Sequence, residues 1–123
     1  MAAGLEHFRE VFAGRVAMAF LYIQEAHAED EWPVATPAQF SVSHQHAGAP
    51  DRAAAAARIS EALPPLAGFP MYADTMDNKF SSLYGAWPTR LFFFDDGLLV
   101  HKADAVDATF DLMEFWRKME LSL

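Results

Sequence analysis

The chain has 123 residues, 53% of them apolar, with 11 Phe and 3 Trp, and a formal net charge of −8. That length fits one domain with a real hydrophobic core, while the acidic balance leaves no basic patch for nucleic acid or an anionic membrane surface. No apolar run nears the roughly 18–20 residues of a membrane span, and with no cysteine there is no disulfide, thiolate nucleophile or Cys-ligated metal.

The N-terminal MAAGLEHFRE lacks the basic and apolar regions of a secretory signal, so a cytoplasmic protein is expected. Residues 4–14 read as an amphipathic helix, with Leu5, Phe8 and Phe12 at helical spacing and Gly14 as C-terminal cap. Eight apolar residues follow, 16–23, the pattern of a strand buried on both faces. Side chains alternate along a strand, so continued extension would put Glu25 and His27 on one side, where a carboxylate can fix an imidazole tautomer and raise its basicity. The same pattern also fits a polar strand end whose His merely closes a loop.

Residues 28–50, with Trp32, three prolines and the turn signal AGAP, read as a long loop insertion, within which 39–43 is expected to pair briefly as a strand. The alanine-rich run 51–63 is a helix with Ala56, Ile59 and Leu63 on one face, stopped by Pro64–Pro65. A second buried strand, 69–73, ends in the carboxylate of Asp74, and a helical turn occupies 78–84. Strands 90–94 and 98–102 flank Asp95-Asp96-Gly97, a hairpin signal. Asp104 or Asp107 is expected to cap a last helix that buries Leu112, Phe115, Trp116 and Met119. The order is α-β-loop-α-β-α-β-β-α, an α/β protein.

The final portion of this order resembles a thioredoxin fold, with Pro88 as the candidate cis-proline. YIQEAHAEDEW at 22–32, QH at 45–46, DR at 51–52, DTMDN at 74–78 and YGAWPTRL at 84–91 sharpen that into a resemblance to the iodothyronine deiodinases and their bacterial relatives. That family has a thioredoxin fold and removes halogen from phenolic rings with a selenocysteine or cysteine. By position, the resemblance makes Glu25 and His27 the acid–base pair, and His46 and Arg90 the residues holding the two ends of an aromatic substrate. Asp74 is expected to be structural, like Pro88, while Asp77 and Asn78 take no assigned role. The family's chalcogen lies upstream of the first helix, whereas this chain begins inside that helix. The resemblance therefore implies a truncated, mixed-sheet fold with an exposed sheet edge, covered by a homodimer or a partner protein.

Three functions follow as expectations. The first is a non-redox acid–base enzyme without cofactor. In it His27 and Glu25 move a proton on a small aromatic, phenolic or polyketide-like substrate in isomerisation, cyclisation or hydration and elimination. His46 and Arg90 hold its oxygen or carboxylate, and Trp32 and Trp87 line an apolar pocket, with Phe40 and Tyr84 read as core. The second is a non-catalytic ligand-binding or assembly protein. The third is a divalent-metal site drawn from Glu25, His27, His44 and His46. His7 and His101 read as solvent-facing.

Overall fold

Helices and strands appear in the expected order in the computed structural model, which describes residues 1–107 and 109–123. They are α1 (Ala2–Val11), β1 (Phe20–Tyr22), α2 (Ala49–Ala62), β2 (Met71–Ala73), α3 (Lys79–Tyr84), β3 (Arg90–Asp95), β4 (Leu98–Asp104) and α4 (Leu112–Ser122). The α/β class holds, with parallel and antiparallel pairing both present: β1 pairs with β2 in parallel and β3 with β4 antiparallel, as two two-stranded sheets. This is compatible with part of a thioredoxin-like fold. The chain divides into two units, Ala17–Pro88 and the pair of segments Met1–Val16 and Thr89–Leu123. No helix among the described residues is long and apolar enough to cross a membrane.

In the unit Ala17–Pro88, the eight-residue apolar run contributes only three residues to a strand, and their side chains are half-buried rather than enclosed on both faces. The limit comes from the partner. β2 starts after Pro70, which has no N–H to give, and ends at Ala73, before Asp74, whose carboxylate binds backbone N–H groups further along the chain. The register is Phe20↔Met71, Leu21↔Tyr72 and Tyr22↔Ala73. Helix α2 begins two residues before the expected start, with Pro50 in its first turn, where a missing N–H costs nothing. It buries Arg52, Ala55 and Ala56, while Ile59 and Leu63 stay half-buried. The expected strand at 39–43 does not form. Residues Ala38–Phe40 make a 3-10 turn instead, and Val42 offers one carbonyl, to Glu29 N at 2.8 Å.

The other unit is built on aromatic packing. Phe8 and Phe12 of the N-terminal segment meet Trp116 of α4 at ring-centroid distances of 5.4 and 6.3 Å, with Leu5, Phe93, Phe115 and Met119 buried around them. Helix α1 is capped at Phe12, two residues before Gly14. The hairpin turns through Asp96 and Gly97 alone, both at positive φ, because Asp95 still pairs with Leu98. The cap of α4 is neither Asp104 nor Asp107 but Asp111, whose side chain accepts from Glu114 N at 2.9 Å. Asp104 is the last residue of β4 and pairs with Arg90. His101 is not solvent-facing: its Nε2 lies 3.2 Å from Lys118 O and 2.9 Å from Ser122 Oγ.

Helices α1 and α4 meet at Gly4, whose carbonyl accepts from Trp116 Nε1 at 3.0 Å. A Cβ at Gly4 would stand 2.4 Å from Leu112 Cδ1 and 2.9 Å from Leu112 Cβ. Gly4→Ala gains about 1 kcal/mol of helix propensity, but overpacking costs about 1–3 kcal/mol. The expected outcome is a lower melting temperature by circular dichroism; an equal or higher one refutes this close approach.

Candidate functional site

Strand β1 ends at Tyr22, and the chain bends before Glu25, so the alternation expected of Glu25 and His27 is not realised. What holds this bend is Gln45. Its Oε1 accepts from Glu25 N at 3.1 Å and its Nε2 donates to Glu25 O at 2.9 Å, so one side-chain amide satisfies both backbone groups of Glu25 as a neighbouring strand would. The same amide reaches His46 N at 3.4 Å and Glu31 Oε2 at 3.2 Å. Beside it, Glu29 pairs with the Ser41 hydroxyl and Asp30 with His44 Nδ1 at 3.1 Å. Three successive acidic residues thus tie the start of the insertion to its end.

The Glu25 carboxylate does not touch the His27 ring. Its Oε2 accepts from the Tyr22 hydroxyl at 2.5 Å and its Oε1 from the His27 backbone N–H at 3.4 Å. Burial first, and then this hydrogen bond, push the Tyr22 phenol well above its ordinary pKa. The partner of the His27 imidazole is the Trp32 carbonyl, 3.1 Å from Nδ1. A carbonyl only accepts, so this contact assigns the proton to Nδ1 and leaves the Nε2 lone pair available. The ring lies 4.7 Å from the Trp32 indole, which in turn lies 6.5 Å from that of Trp87. These two indoles are 57% and 43% exposed, a surface rather than a lined pocket. Phe40 and Tyr84 are half-buried. Pro88 follows Trp87 through a cis peptide bond.

His46 is placed differently. Its ring meets Tyr22 edge-on at 5.5 Å, and its Nε2 is enclosed with no hydrogen-bond partner. Desolvation, and secondarily the charge of Arg52, hold its pKa below 6.5. Arg90 belongs to the other unit, where it pairs with Asp104 by charge and donates from Nη1 to Thr89 O at 2.7 Å. The atom that meets Asp104 Oδ1 is the buried Arg90 Nε, close enough for an ion pair but not aligned as a hydrogen bond. The candidate metal set Glu25, His27, His44 and His46 is not gathered: among the described residues no three His, Asp or Glu are placed to hold an ion.

The DR and DTMDN motifs acquire a structural role. Arg52 of α2, 2% exposed, donates from Nη1 to Thr75 O at 2.8 Å, Asn78 Oδ1 at 2.9 Å and Asp74 O at 3.4 Å. The Asp74 carboxylate accepts from the backbone N–H groups of Thr75, Phe80 and Ser81 at 2.9–3.1 Å, satisfying the open first turn of α3. Tyr22, Gln45 and Arg52 are the working residues without an expected role. Their only signal was membership of the quoted motifs.

A family model described as iodothyronine deiodinase matches residues 3–121. The chain is similar to the type II iodothyronine deiodinase of Petromyzon marinus, 38% identical over 86 residues, which are 70% of this chain and 29% of that protein. It is also similar to the type I iodothyronine deiodinase of Xenopus laevis, 38% identical over 82 residues, 67% of this chain and 30% of the relative. The thyroxine 5-deiodinase of Ovis aries is 36% identical over 87 residues, 71% and 28% of the two chains. The chain thus spans less than a third of the length of these three curated relatives.

Two outcomes follow from the geometry. Arg52→Met keeps length but strands the Thr75 and Asn78 acceptors, with an expected loss of about 2–4 kcal/mol in urea unfolding; a loss under about 1 kcal/mol refutes the anchoring role. His46 is held neutral by burial and Arg52, with Arg58 acting in the same sense and Glu25 and Asp51 against it; its ring also abuts Tyr22. The unfolded chain therefore binds the proton more readily, and stability falls as pH drops below 6.5. His46→Phe is expected to flatten that slope, and an unchanged slope places the titration elsewhere.

Proposed function

The chain belongs to the iodothyronine deiodinase family, and on that premise we propose that residues 17–88 carry an acid–base site at which His27 moves a proton on a small aromatic, phenolic or enolic substrate. The observation that carries the reading is the His27 imidazole, bound at Nδ1 by the Trp32 carbonyl and, among the described residues, without a hydrogen-bond partner at Nε2. Nε2 takes a proton from a phenolic O–H or from a carbon next to a carbonyl. The imidazolium so formed keeps its Nδ1–H on Trp32 O and has the Trp32 indole beside it, which favours a cation. Returning the proton to another substrate atom gives isomerisation, and delivering it to a departing hydroxyl gives elimination of water.

Glu25 acts here as a positioning residue. It fixes the His27 backbone and the Tyr22 hydroxyl. His46 is the residue of this unit that we assign to the substrate's oxygen or carboxylate; Arg90 lies in the other unit and is no part of the proposed site. The activity named for the relatives uses chalcogen chemistry in this family, and the 123 residues contain no cysteine, so the proposal is confined to proton transfer. A second reading, a binding module without turnover, draws support from the exposed indoles of Trp32 and Trp87.

The test is deuterium incorporation from D2O into a panel of phenols and enolisable aryl ketones, followed by proton NMR. His27→Ala is expected to lower exchange by about 100-fold or more, and Glu25→Gln by about tenfold, through the lost hold on the His27 backbone and the Tyr22 hydroxyl. Full exchange by His27→Ala would falsify the proton-transfer assignment. Indole fluorescence quenched by the panel, with no exchange by the parent protein, favours the binding module.

A further inference from the structure

Gln45 is half-buried, and all four hydrogen-bonding positions of its side-chain amide are occupied. Two backbone N–H groups, of Glu25 and His46, lie against Oε1, and two acceptors, the Glu25 carbonyl and the Glu31 carboxylate, lie against Nε2. This sorting of donors from acceptors fixes which way the amide faces. Glu25 is held by its main chain and Glu31 by its side chain, so one residue grips both ends of the segment 25–31. Within that segment the carbonyl of the fully buried Ala28 accepts from Glu31 N at 3.0 Å and Trp32 N at 3.2 Å. The turn so made brings Trp32 back over His27, with the Trp32 carbonyl 3.1 Å from Nδ1 and the indole 4.7 Å from the imidazole.

We infer that Gln45 is a positioning residue for His27: by closing the segment 25–31 it keeps the Trp32 carbonyl on Nδ1 and so holds the imidazole in the tautomer whose Nε2 can take a proton. A neutral imidazole carries its proton on either nitrogen, and the hydrogen bond made by one nitrogen decides which. Gln45 acts on that choice from both sides. Through Glu31 it fixes the residue next to Trp32, and through the Glu25 main chain it fixes the stretch that leads into His27. For its consequence in catalysis the inference rests on the proton-transfer reading, while the tautomer is a property of the protein without substrate.

The test reads the His27 ring nitrogens by 15N NMR in the full chain at about pH 8.5, two units above an ordinary imidazole pKa, with His27→Ala identifying their signals. The parent is expected to hold the Nδ1–H tautomer in excess. Gln45→Ala is expected to lower the ratio of Nδ1–H to Nε2–H by about fivefold, the bias of one hydrogen bond. In deuterium exchange the same variant is expected to lose about tenfold in kcat at unchanged KM. Glu31→Ala, at an exposed position, removes one arm of the clasp and is expected to shift the ratio in the same direction. His44→Ala severs the neighbouring tie to Asp30 and is expected to leave the ratio parental. A parent with Nε2–H in excess overturns the assignment, as does a parental ratio in Gln45→Ala, or in Glu31→Ala where the first variant does not fold. An equal shift in His44→Ala also overturns it. A shifted ratio in Gln45→Ala, beside a parent that exchanges no deuterium, upholds the positioning of the ring and ends the proton-transfer reading alone.

Discussion

Everything near the candidate site leans on how two buried charges are solvated. Arg52 and Asp74 are both inside the unit Ala17–Pro88, at 2% and 8% exposure, yet the contact between them runs from guanidinium to backbone carbonyl, not to carboxylate. Each charge is surrounded by peptide dipoles: carbonyls for the arginine, N–H groups for the aspartate. Burying an ion without such replacement of its water costs several kcal/mol. The arrangement uses the orphan groups a short helix must leave open anyway, so the start of α3, the end of β2 and the first turn of α2 are joined at one point. The Tyr22 strand is then fixed against β2, and the site hangs from Tyr22.

Much of this architecture was legible because its causes are local. The diproline that stops α2, the Asp-Gly step of the hairpin and the aromatic stripe of α4 act within a few residues, and each element stands where those residues direct it. The misreadings have non-local causes. Strand β1 is short because β2 is, and nothing in residues 16–23 encodes the length of a partner fifty residues away. Three aspartates stand between the end of β4 and α4: Asp104 is taken by Arg90, Asp107 sits at positive φ four residues before the helix-flanking Asp111, and Asp111 is the cap.

The pair Glu25 and His27 makes the same point at the level of chemistry. Two residues in i, i+2 relation on a strand would face one way, but the strand has ended and Gln45 has taken over the backbone of Glu25. The carboxylate is thereby left for Tyr22 and a peptide N–H, while the imidazole is oriented by a main-chain oxygen of Trp32. Motif letters singled out Glu25, His27 and His46. They carried no information on which atom meets which. The two histidines end in opposite surroundings, one open at a nitrogen and bound at the other, the second enclosed and unbound.

The three tryptophans are distributed unevenly between the units. Trp116 is buried at 4% exposure with its N–H on a carbonyl, in the unit formed by the two ends of the chain; Trp32 and Trp87 are open to water in the other. Solvent relaxation around an indole sets its emission colour, so the spectrum of the native protein has a blue component from one unit and a red one from the other. A neutral collisional quencher reaches only the second. The protein thus carries two internal optical channels, one per unit, by which loss of order in each can be followed separately without a label.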